Sequence, residues 1–90
     1  MMTDTKYNGY TNYETWNIVL WLYNDENIYN DLRHSIRAVI RADGDADDVK
    51  SVVTRLFATP DGASTPDGVW LDDKRIDWDE IRTILFDDFR

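Results

Sequence analysis

The 90-residue sequence contains no cysteine, one histidine, two prolines and four glycines, and no apolar run approaches the length of a membrane span. Without cysteine there is no disulfide, no thiolate nucleophile and no cysteine-ligated metal. The lone histidine, His34, stands among arginines with no nucleophile near it in sequence, so it is not poised as a base. The few glycines form no phosphate cradle followed by Lys-Ser or Lys-Thr. The opening MMTDTKYNGY has no apolar signal core. These absences lead to the expectation of a soluble cytoplasmic protein that is not an enzyme, with no cofactor, no metal and no catalytic residue.

Two acidic constellations qualify that expectation and both fail as chemistry. Asp43, Asp45 and Asp47 alternate like the opening of a calcium loop, but the sixth position is Asp48 where glycine is required, and the twelfth is Thr54 where glutamate is required. Asp72 and Asp73 are adjacent carboxylates in a loop, which read as solvated groups and not as an acid–base pair.

Charge is present in excess of one sign. Eighteen acidic residues face ten basic ones, a net charge of −8, and residues 58–90 alone carry −5 of it. That balance argues against direct binding to nucleic-acid backbones, which requires a positive footprint. Against it stands one basic stripe: Arg33, Arg37 and Arg41 recur every four residues with His34 beside them. The stripe is expected to pair with the acidic C-terminal third, the alternative being a surface for a partner.

Aromatics are abundant: four tryptophans, five tyrosines and three phenylalanines in one domain-sized chain. Thr11 to Tyr23, TNYETWNIVLWLY, is apolar nearly all round at helical spacing. It is expected to be a central helix, started by a Thr11/Glu14 capping box and wrapped by later segments. Its polar exceptions are Thr15 and Asn17, the latter expected to make a structural hydrogen bond or to face solvent. Before it, residues 1–10 are expected to be loose, with Asn8-Gly9 as a turn that lets Tyr7 and Tyr10 fold back.

The spacing predicts a second helix from about Asp25 or Asn27 to Ala42, burying Ile28, Leu32, Ile36, Val39 and Ile40. A third helix capped by Asp45 carries Val49, Val52, Val53, Leu56 and Phe57. Residues 58–76 are expected to be a long surface loop containing T-P-D-G twice, followed by the apolar Val69-Trp70-Leu71. I-D-W-D-E-I then announces the last helix, with Asp77 as N-cap, Glu80 completing a capping box and Ile76 and Ile81 as a hydrophobic staple. Trp78, Ile81, Ile84, Leu85 and Phe89 face the core, Arg82 faces water, and Phe86 is left at the edge of the apolar arc as an exposed aromatic. The fold class expected is all-α: a single-domain bundle of four helices, residues 1–90, around the first.

Asn12, Tyr13, Thr15, Trp16, Asn17, Leu20, Trp21 and Leu22, with Ile76 to Ile81 at the far end, resemble a family of small uncharacterised proteins encoded by phages and other mobile elements. The resemblance implies a mobile-element origin and an all-helical domain, and brings no activity to carry over. By analogy with small acidic phage proteins, the chain is expected to bind and inhibit a host nucleic-acid-handling defence protein of the restriction or CRISPR kind. The acidic surface Asp72, Asp73, Asp77, Asp79, Glu80, Asp87 and Asp88 would occupy a basic DNA-binding groove. The alternative is a protein-binding or dimerising module that uses Arg33, Arg37, Arg41 and exposed aromatics. In either case the partner is a protein, with no membrane and no direct nucleic acid, and a homodimer is left open.

Overall fold

In the computed structural model, which describes residues 7–90, the chain is mostly helical. It comprises α1 (Tyr13–Asn24), α2 (Glu26–Arg41), α3 (Ala46–Leu56), a hairpin of β1 (Ala58–Thr59) and β2 (Gly62–Ala63), and α4 (Trp78–Phe89). The four helices and the long connection before the last match the expectation. The antiparallel hairpin corrects the all-α description.

Each helix starts where a short polar side chain can accept an amide that the helix leaves orphaned. α1 begins one residue later than T-N-Y-E suggests, because Asn12 is the cap and accepts from the Thr15 amide at 2.9 Å. Thr11 and Glu14 therefore form no capping box. The Thr11 hydroxyl donates to Asp77 at 2.9 Å, and Glu14 lies 3.3 Å from Arg75. Asp25 caps α2, and Asp45 with Asp48 forms a reciprocal capping box on α3. The last turn of α2 closes as a Schellman motif, with Gly44 N–H on the Val39 carbonyl, Asp43 N–H on that of Ile40 and Asp43 at φ 52°.

The core draws on every helix: Ile18 and Leu22, Leu32 and Ile36, Val49 and Val53, Ile81 and Leu85 are all sealed from solvent. α1 packs against α2 and α4, and α3 packs against the same two helices from elsewhere. The first helix is thus a wall of the bundle and not its axis, contrary to expectation. Its aromatic surplus explains the difference. Tyr13 is 37% exposed and Trp16, Leu20, Trp21 and Tyr23 are half-buried, while Thr15 and Asn17 are fully buried.

Phe86 is also corrected. It is buried, with the Arg82 guanidinium 4.1 Å from its ring centroid, and Arg82 is held there because its Nε donates to the Gly44 carbonyl at 2.7 Å. Of the segment expected to be loose, residues 1–6 lie outside the described residues. Tyr7 to Tyr10 form a tight turn by reciprocal 2.8 Å bonds, with Asn8 and Gly9 at positive φ.

The two T-P-D-G copies make successive turns. The first closes the hairpin, pairing Thr59 with Gly62. The second bonds Gly68 N–H to the Thr65 carbonyl, after which Leu71 N–H returns to the Ala63 carbonyl. Val69 and Leu71 plug the core, and Trp70 between them remains 48% exposed.

Candidate functional site

The polar residues of the two end motifs meet each other. Thr15, buried on α1, accepts the Asp77 backbone N–H on its hydroxyl at 2.9 Å. Thr11 donates its own N–H to Glu80 at 3.0 Å, and the Asn12 side-chain amide donates to the Arg75 carbonyl at 2.6 Å. Asp77 still caps α4 through the Glu80 amide, but the reciprocal half of the expected capping box is absent, since Glu80 reaches Thr11 instead. Arg75 completes the arrangement. It grips Asp73 with two nitrogens at 2.8 and 3.0 Å and lies 3.3 Å from Glu14. These bonds hold Asp73 at about 2, well below the ordinary carboxylate value.

A second polar node fastens the connection to α1. Asn17 donates its amide to Asp67 at 2.8 Å and accepts the Thr65 hydroxyl at 2.6 Å, and the Trp21 indole donates to the same Asp67 oxygen at 2.9 Å. The Asn17 amide and then the Trp21 indole lower the Asp67 pKa. Thr65 in turn accepts the Val69 N–H at 3.1 Å, which shapes the second turn. The sequence signal for this node was a buried-type polar residue on an otherwise apolar helix. Its partners, some fifty residues away, carried no signal of their own.

The acidic candidates do not converge. Asp73, Asp77 and Glu80 are engaged in the bonds just described. Asp72, Asp79, Asp87 and Asp88 are exposed, and Asp88 accepts the Tyr23 hydroxyl. That bond and burial raise the Tyr23 pKa, desolvation being the larger cause, so the phenol stays a donor. Asp79 and Asp88 lie nine residues apart on one helix, roughly two and a half turns, and so point to opposite sides. The exposed carboxylates of α4 therefore form no single row.

The basic candidates stay together. Arg33, Arg37 and Arg41 are exposed, spaced roughly 6 Å apart along α2 at 1.5 Å per residue. Among the described residues none of them makes an ion pair. The pairs present join Arg75 to Glu14 and Asp73, and Arg82 to Asp43. The expected pairing of the stripe with the acidic C-terminal third is thus not found. No group of three or more metal-ligating side chains is close enough to hold an ion among the described residues, and no helix there is long and apolar enough to cross a membrane.

A protein-family model described as a family of unknown function (DUF7249) matches residues 3–88. A search of curated proteins and a search of solved structures each found no match.

Proposed function

The chain belongs to this family of unknown function (DUF7249), and from that premise we propose that it is a non-catalytic protein-interaction module that docks an acidic partner through the Arg33, Arg37 and Arg41 face of α2. One observation carries the reading. In a chain with eighteen acidic residues, three cations in register on one helix face pair with no carboxylate among the described residues. Neutralising them inside the fold was open to the sequence, and exposed arginines are favoured where planar recognition of carboxylates matters.

The test places a photo-crosslinking residue at position 37 in cells that express the protein, with exposed Ser51 of α3 as the control position. Adducts from 37 to an acidic segment of one partner, lost in an Arg33→Glu/Arg41→Glu background, support the reading. Identical adducts from both positions, or none from 37, reject it.

A second reading is favoured by a separate observation, namely that Asp72, Asp79 and Asp87 are exposed and their carboxylates accept no bond among the described residues. In it the chain is a mobile-element protein that blocks a host nucleic-acid-handling defence protein by offering carboxylates to a basic groove. That partner would be released by salt and by Asp79→Asn/Asp87→Asn, and an affinity unmoved by either removes the idea.

A further inference from the structure

A second surface, of opposite character and on different helices, carries an inference independent of the α2 stripe. Between α1 and α4 lies a cavity of about 260 Å³. Its lining includes the aromatic residues Tyr10, Trp16 and Tyr23, the aliphatic Leu20 and Ile84, and the acid Asp88. Its volume is below the roughly 300 Å³ at which small-molecule pockets begin, so it matches a single side chain better than a cofactor.

The lining selects for charge. Aromatic ring faces present negative potential, and no lysine, arginine or histidine lines the cavity among the described residues. An anion would find the Asn24 amide but also the like charge of Asp88, with no cation among the described residues to offset it. An aliphatic side chain would fill the space but strip water from Asp88 without compensation. A cation on an aliphatic stem satisfies both halves: the stem packs on Leu20 and Ile84, and the charge meets the rings and the carboxylate. Asp87, next to Asp88 in sequence, is also exposed, in a chain of net charge −8.

The walls are also held in place before any ligand arrives. Trp16 is braced by Tyr7 and Tyr13, with centroids 4.8 and 5.7 Å away, and Tyr23 by Tyr29 and Phe89 at 5.8 and 6.4 Å. The Tyr23 hydroxyl fixes one Asp88 oxygen and leaves the other without a bond among the described residues. Braced rings reduce the ordering cost of binding.

We propose that this groove is a cation site that receives one arginine or lysine side chain from a basic protein partner, with Tyr10, Trp16 and Tyr23 as an aromatic cage and Asp88 as the counter-charge.

The test titrates the full chain with the peptide Gly-Gly-Arg-Gly-Gly and with its citrulline counterpart, which keeps the shape and removes the charge. The indole resonance of Trp16 reports binding by NMR. The arginine peptide is expected to bind about fivefold or more tightly than the citrulline peptide, the ratio corresponding to about 1 kcal/mol for an exposed cation–π contact. Asp88→Asn, a substitution at an exposed position, is expected to erase most of that preference while the melting temperature holds. Equal affinity for the two peptides overturns the proposal. So does a response at Trp70 in place of Trp16, the absence of any shift at millimolar peptide, or a preference that survives Asp88→Asn.

Discussion

Replacing Asn17 with leucine keeps the number and branching of the side-chain heavy atoms and removes the polar node between α1 and the connection. Asn17 is fully buried and Thr65 is 3% exposed, so water cannot take over their bond of 2.6 Å. The Thr65 O–H is then a buried donor without an acceptor, which costs about 1–3 kcal/mol. Asp67 is exposed and regains water, and it keeps the Trp21 indole, so its loss adds little. The expected total is about 2–3 kcal/mol. At about 4–8 °C per kcal/mol for a chain of this size, the melting temperature falls by roughly 10–20 °C. Urea unfolding followed by circular dichroism measures the loss, and an unchanged m-value shows that the folded state is intact. Thr65→Val alone should cost at least as much, because it also orphans the Val69 N–H that Thr65 accepts. The double variant should show a coupling of about 0.5–3 kcal/mol. A loss under about 0.5 kcal/mol for Asn17→Leu, or strict additivity with Thr65→Val, refutes the node.

Three further outcomes follow from other parts of the fold. Asp67 is shifted below its ordinary value of 3.8, so the folded state holds that proton less tightly than the unfolded chain. The stability this gives is present above about pH 4 and drains away as pH falls through the folded value. Trp21 fluorescence should report the change in acid, and Asp67→Asn should flatten it. Gly44→Ala would place a Cβ 2.7 Å from Val39 Cγ1 and 2.8 Å from Asp48 Oδ2, and should cost about 1–3 kcal/mol in a urea titration. Arg37→Glu, on an exposed face without an ion-pair partner among the described residues, should leave stability within about 0.5 kcal/mol of the parent, and a larger loss would reveal an internal carboxylate bound to the stripe.

The sequence was most legible where the deciding interaction is local. Asp25, Asp45 and Asp77 cap helices by accepting an amide three residues on, and that spacing is visible in the chain itself. The Val49, Val52 and Val53 stripe is buried as its period requires. The failures are long-range. Glu80 leaves the capping box drawn for it because Thr11, 69 residues away, brings a donor to its carboxylate. Thr15 is drawn inward by a backbone amide 62 residues later. Phe86 is buried because Arg82 is pinned to Gly44 across the α2–α3 turn, a contact no helical period encodes. The candidate surfaces divide the same way. The spacing of Arg33, Arg37 and Arg41 is a property of one helix, whereas the withdrawal of Asp77 and Glu80 from the acidic surface depends on Thr11 arriving from elsewhere.

That withdrawal rests on one claim: the T-N-Y-E-T-W-N and I-D-W-D-E-I residues serve the fold by locking the two ends of the chain together. Native-state hydrogen exchange of the Thr11 and Asp77 amides tests it directly, because neither belongs to a helical ladder and each donates only across the lock, to Glu80 and to Thr15. The expected result is exchange as slow as that of buried Leu85, through global opening alone, and faster exchange at both amides together in Thr15→Val. Exchange at the rates of an exposed loop, while the Leu85 amide stays protected, would contradict the lock and return Asp77 and Glu80 to the pool of groups free to meet a partner.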